Sequence, residues 1–197
     1  MIPKRAQEIT PFLVMDVLER AREMHVKIYG ASSPSTAAVL QLLGDAHRQA
    51  RNFPAASETY REALRVRRAQ VGRAHPDTAG TQNAIGILHA DFEDWAAADA
   101  AFASALDILD ETLGPQHPET LKVRLNRVRA AWGRRQSGSN ARKYAATVEA
   151  LSEILGEKHP ETAAALRNLA RVEAERGELG RAGALLERAL AAQRESL

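Results

Sequence analysis

Apolar side chains recur along this chain at helical spacing. Ala56, Tyr60 and Ala63 stand four and three residues apart, and Ala98, Phe102 and Ala105 and then Ala182, Leu186 and Ala189 repeat the pattern. Steps of four and three return a side chain to one face of an α-helix. Each trio therefore predicts a helix with a narrow buried stripe. A second kind of segment carries Leu40 and Leu43, Ile85, or Leu166 and Leu169, with a small residue (Gly44, Gly86, Ala170) at one register. A small residue there would let a partner helix approach closely. Strand-like alternation is absent, and the expectation is an all-α chain.

The two kinds of segment alternate with a fixed period. His75-Pro76, His117-Pro118 and His159-Pro160 are 42 residues apart, and Ser33-Pro34 stands a further 42 upstream. Tyr29-Gly30, Val71-Gly72, Leu113-Gly114 and Leu155-Gly156 keep the same step, as do Thr36, Thr78, Thr120 and Thr162. Three independent markers without an insertion define tandem units at 34–75, 76–117, 118–159 and 160–197. Within residues 1–33, positions 9–29 resemble the second helix of a further unit and form a half repeat or cap. Each unit reads as a helical hairpin. The residue before proline is pushed to an extended conformation, and proline suits the first helical position, where its missing N–H costs nothing. Asp77, Glu119 and Glu161 then lie in the positive first turn of the helix dipole, and glycine closes each second helix.

The LG-x-x-HP-x-T junction, the small residue mid-helix and the Ala, aromatic, Ala stripe together resemble the 42-residue tetratricopeptide repeats of kinesin light chains. Bacterial proteins of the same repeat type, often joined to nucleotide-binding signalling domains, are similar too. The period alone also admits HEAT or armadillo pairs; the HP-x-T start and the mid-helix glycines favour the tetratricopeptide type. The resemblance covers about residues 28–197. It implies a right-handed superhelix of antiparallel helix pairs whose first helices line a concave groove that binds an extended peptide or a partner helix. By the same resemblance the groove positions are Gln41, Asp45 and Arg48, then Asn83, Ile87 and Ala90, then Arg167, Arg171 and Ala174.

The third unit departs from the pattern, with Arg124 and Arg127 where the others mostly carry leucine or isoleucine. A one-residue shift of its first helix restores an apolar stripe of Leu121, Leu125, Val128 and Trp132, and that shift is the expected arrangement. The extra residue would be absorbed in the loop GRRQSGSN, with Gly138 and Ser139 suited to a turn and an N-cap. The groove positions of this unit are Leu125, Arg129 and Trp132 without the shift, or Asn126, Ala130 and Gly133 with it.

Composition narrows the chemistry. With 45% hydrophobic and 26% charged residues the chain is neither disordered nor membrane-embedded in type, and no window approaches 18 uncharged apolar residues. The first apolar run, Pro11 to Met15, is broken at once by Asp16, so a secretory signal is not expected. Without cysteine, disulfides and thiolate metal sites are excluded, and a cytoplasmic protein fits. His75, His117 and His159 tempt as metal ligands. Equivalent positions of stacked units, however, lie on the order of 10–20 Å apart given helix diameters of about 10–12 Å, whereas zinc needs nitrogens at about 2.1 Å. They read as loop and cap residues, and His47 and His89 as core. HExxH, GxSxG and phosphate-loop motifs are missing, so neither an enzyme nor a cofactor is expected.

Arginine is the distinctive side chain, at 22 Arg against 5 Lys. Arg124, Arg127, Arg129, Arg134, Arg135 and Arg142 crowd the third unit, and Arg167 and Arg171 follow in the fourth. Guanidinium groups fork onto carboxylates, which makes an acidic protein or peptide the expected partner. Nucleic acid is disfavoured, because the aromatic positions Tyr60, Phe102 and Tyr144 fall on the buried stripe and leave no stacking platform beyond Trp132. The alternatives are self-assembly through uncapped ends, with Leu179, Ala182, Leu186, Ala189 and Leu190 as an open apolar flank, or service as the sensor part of a larger signalling protein.

Overall fold

The computed structural model describes residues 11–133 and 137–194. The described residues form α1 (Pro11–Tyr29), α2 (Pro34–Gln49), α3 (Phe53–Val71), α4 (Pro76–Asp91), α5 (Trp95–Thr112), α6 (Pro118–Gly133), α7 (Ser137–Leu155), α8 (Pro160–Glu175) and α9 (Leu179–Arg194). Two compact units divide at Phe92, the first holding α1–α4 and the second α5–α9.

Every first helix starts 42 residues after the previous one, at Pro34, Pro76, Pro118 and Pro160, and so does every second helix, at Pro11, Phe53, Trp95, Ser137 and Leu179. The junction chemistry accounts for this regularity. Gly30, Gly72, Gly114 and Gly156 adopt φ of 85°, 90°, 90° and 88°, a left-handed conformation that costs a side chain dearly. The hydroxyl of the following threonine reaches back to the glycine carbonyl, at 2.9 Å for Thr36, 2.8 Å for Thr78 and 2.8 Å for Thr120. Thr162 is equally buried but makes no such bond. Nδ1 of His75, His117 and His159 accepts the backbone N–H two residues on, at 3.1, 3.2 and 3.2 Å, and Ser33 Oγ accepts from Thr36 N at 3.1 Å. The histidines are thus N-caps that satisfy otherwise orphaned donors.

In the first unit, Ala37, Leu40, Ala63 and Val66 form one cluster, and Ala56, Tyr60, Ala84 and Leu88 another. Gly44 leaves room for the buried ring of Tyr60: a Cβ added to it would stand 2.5 Å from Cε1. In the second unit, Leu121, Leu125, Tyr144, Val148, Leu151, Leu166 and Leu169 share one core. Ala182 and Ala189 are buried, so the open flank of α9 reduces to Leu179, Leu186 and Leu190, at 71%, 45% and 51% exposure.

The expected one-residue shift in the third unit does not occur. α6 begins at Pro118 in step with its counterparts, and α7 begins at Ser137, also in step. Gly138 and Ser139 therefore lie within α7, and residues 134–136 are outside the described residues. Thr120, Leu121, Val123 and Ala130 are buried, and Thr120 keeps the junction bond. The helix is anchored at its start, so the two arginines are accommodated by pairing rather than by slippage. Arg124 Nη2 donates to Asp110 at 2.9 Å and Arg127 Nε to Asp99 at 2.8 Å, both on α5. The stripe of Leu121, Leu125 and Val128 still packs into the core.

Replacing Gly44 by alanine gains about 1 kcal/mol of helix propensity but overpacks a ring that cannot move, for a net loss of about 1–2 kcal/mol. Gly183→Ala on α9, where nothing lies within 4 Å, should instead stabilise by about 0.5–1 kcal/mol. Urea titration of the two variants measures the opposite signs.

Candidate partner-binding faces

In the first unit the expected groove residues belong to α2 and α4, and Gln41, Asp45, Arg48, Asn83 and Ile87 are all half-buried. Asp45 and Arg48 are already engaged. The Tyr60 hydroxyl on α3 donates to Asp45 Oδ1 at 2.6 Å, and Arg48 Nη1 donates to Asp91 Oδ2 on α4 at 2.9 Å. The first bond ties α2 to α3 and the second ties α2 to α4, so Asp45 and Arg48 together link three helices. Burial and the Asp45 carboxylate push the Tyr60 phenol well above its ordinary pKa, against the opposing pull of Arg48. Burial lowers the Arg48 pKa, but the bonds to Asp91 and Tyr60 outweigh it and hold the group above its ordinary value. Asp45 and Arg48 thus brace the face and are less available to a ligand than their spacing implied. Gln41 Oε1 is buried without a protein partner.

The second unit presents a different face. Arg129 stands on α6, one period before Arg171 on α8. Arg167 and Arg171 are exposed, and Arg171 Nη1 pairs with Glu175 one turn along, at 2.8 Å. Tyr144 of α7 is almost fully buried. Burial raises the pKa of its phenol, while Arg129, a hydrogen bond with Asn168, and Arg171 pull the other way. The structure therefore brings Arg129, Tyr144, Asn168 and Arg171 into one neighbourhood. Tyr144 and Asn168 had not been expected there; the one available signal was that Asn168 follows Asn126 by a full period. Leu125 of one alternative groove set and Ala130 of the other are buried at 7% and 1% exposure. Asn126 is half-buried, and the Trp132 side chain lies outside the described residues.

Models of the family described as "Tetratricopeptide repeat" match residues 16–69 and 135–195, and a second such model matches 78–119. The chain belongs to the tetratricopeptide-repeat family. Solved structures of similar fold agree. A Podosopora anserina chain of nearly identical TPR-like repeats, described as a kinesin light chain, superposes with a TM-score of 0.68 at 20% identity, covering 94% of this chain and 88% of that one. BtubC (BKLC) from P. vanneervenii superposes at 0.77 with 18% identity, covering 95% and 75%. The apo form of RapI does so at 0.65 with 12% identity, covering 93% and 77%. No curated protein matches the sequence. The tetratricopeptide fold is one that generally mediates protein–protein interaction.

The buried phenols give this repeat protein a defined alkaline response. The folded state holds the protons of Tyr60 and Tyr144 more tightly than the unfolded chain does. Their contribution is therefore complete below the unfolded tyrosine pKa of about 10 and is lost as pH rises beyond it. The urea midpoint should fall above about pH 10, and Tyr60→Phe with Tyr144→Phe should flatten that fall. An equally steep fall in the double variant would remove the tyrosines as its cause.

Proposed function

We infer that the chain is a non-catalytic interaction module and that the basic face of its second unit receives an acidic protein segment. The observation that carries this reading is the exposure of Arg167 and Arg171, one turn apart on α8, with Arg129 one full period earlier on α6. Among the described residues Arg171 is ion-paired with a neighbour on its own helix, an exposed pair of the kind that contributes about 0.3–0.5 kcal/mol. A partner carboxylate can compete for that guanidinium at little cost. Arg167 has no ion pair among the described residues, and its guanidinium can donate two parallel N–H bonds to one carboxylate. The first unit differs in kind, since its Asp45 and Arg48 are tied to Tyr60 and Asp91. Affinity is assigned to the second unit and rigidity to the first.

No described helix is long and apolar enough to cross a membrane, and a cytoplasmic partner fits a chain without cysteine. A second reading rests on Leu179, Leu186 and Leu190, which leave an apolar strip of α9 exposed. A second copy covering that strip would make the module homo-oligomeric. Light scattering on the native chain and on Leu186→Glu tests it: a mass above the monomer that drops in the variant supports assembly, and a monomer in both cases removes it.

For the leading reading, Arg167→Glu with Arg171→Glu should weaken binding of a glutamate-rich peptide at least about a hundredfold at low salt. This follows from two lost charge-assisted contacts of about 1.5 kcal/mol each. The loss should shrink as salt is raised. Calorimetry measures it, and unchanged affinity in the double variant overturns the assignment of this face.

A further inference from the structure

A cavity of about 470 Å³ opens in the second unit between α5, α6 and α7, lined by Asp99, Asp107, Asp110, Arg124, Arg127 and Lys143 among others. Its origin is the exchange of leucine for arginine in the third repeat. Where Leu40 and Leu43, or Leu166 and Leu169, fill the corresponding slots and are buried, a guanidinium cannot be buried without a partner. Arg124 and Arg127 instead lean out onto α5, and the space that leucine would have closed stays open.

The walls differ in sign. Asp99, Asp107 and Asp110 all come from α5, while Arg124 and Arg127 come from α6 and Lys143 from α7. The arginines are only partly used. Arg127 gives Nε and Nη2 to the two Asp99 oxygens at 2.8 and 3.5 Å, and Arg124 gives Nη2 to Asp110 and Nη1 to the Pro115 carbonyl at 2.9 and 3.1 Å. A guanidinium has five N–H donors, so each keeps donors in reserve. Asp107 and Lys143 are exposed, and neither has an ion pair among the described residues. The three acids and three bases cancel. A simple cation or a simple anion therefore gains at one wall and is opposed by the other, whereas a molecule with one charge of each sign gains at both.

We propose that this cavity is a binding site for a small dipolar molecule, an amino-acid-like zwitterion whose cationic end meets Asp107 and whose carboxylate meets Lys143 and the free N–H groups of the arginines. The site is separate from the acidic-segment face. At about 100° per residue, Arg129 lies about 140° around α6 from Arg124 and about 160° from Arg127.

The test is titration of the full chain, followed by amide chemical-shift mapping, with ε-aminocaproate and with its two half-charged analogues, caproate and hexylamine. The dipolar probe should shift amides of α5, α6 and α7 and bind at least about tenfold tighter than either analogue. Asp107→Asn and Lys143→Gln, both surface changes whose folding circular dichroism verifies, should each erase most of that advantage while leaving glutamate-rich peptide binding unchanged. Equal binding of all three probes, binding of caproate as tight as that of ε-aminocaproate, no binding of any, or shifts that persist undiminished in both variants would each overturn the proposal.

Discussion

The structure depends on the junction between repeats. A left-handed glycine ends one helix, a threonine hydroxyl returns to that glycine's carbonyl, proline opens the next helix, and a histidine or serine caps it. These bonds are short-range, and the threonine bond recurs at the Thr36, Thr78 and Thr120 junctions, so local chemistry sets where these helices begin. A shift of one residue would pull the threonine from its acceptor and bury an unsatisfied hydroxyl, a penalty of about 1–3 kcal/mol. That cost holds the start of α6 in step even though the apolar pattern of the third repeat is poor.

With the starts held, variation falls on the side chains within a unit, and the structure shows two ways of absorbing it. One is a matched change of size, as where Gly44 makes room for Tyr60. The other is a matched change of polarity. Arg67 occupies the register at which Leu109 and Leu151 are buried, and it survives by donating to the Asp77 carbonyl and to Thr81, at 2.5 and 2.9 Å. Burial depresses its pKa, with Asp77 opposing. Arg124 and Arg127 solve the same problem with carboxylates on α5 and leave a cavity behind. The scaffold tolerates such exchanges because each repeat packs mainly against its neighbours.

The same locality explains which functional features could be read in advance. The basic character of the fourth repeat was legible, because Arg167 and Arg171 are exposed on one helix and helical periodicity places them together. The bracing of Asp45 and Arg48 was not, because their partners Tyr60 and Asp91 sit on other helices and reach them only through packing. Tyr144 was legible as core, and its burial agrees. That Arg129, Asn168 and Arg171 all act on its phenol is a matter of how α6, α7 and α8 pack.

From sequence alone came the repeat, its period, the helix starts and the caps, because each rests on backbone conformations and hydrogen bonds spanning only a few residues. Only the tertiary structure decided how the third repeat resolves its misplaced arginines. Periodicity preferred a shift to bury an apolar stripe, but the stripe packs into the core without one, and periodicity cannot see the carboxylates on a neighbouring helix that pair the arginines. Asp99 and Asp110 lie 28 and 14 residues from their arginine partners, and only packing brings them within 3 Å. Charge pairing across helices thus let the junction keep its register, and it turned an irregular sequence into a regular backbone with a charged cavity.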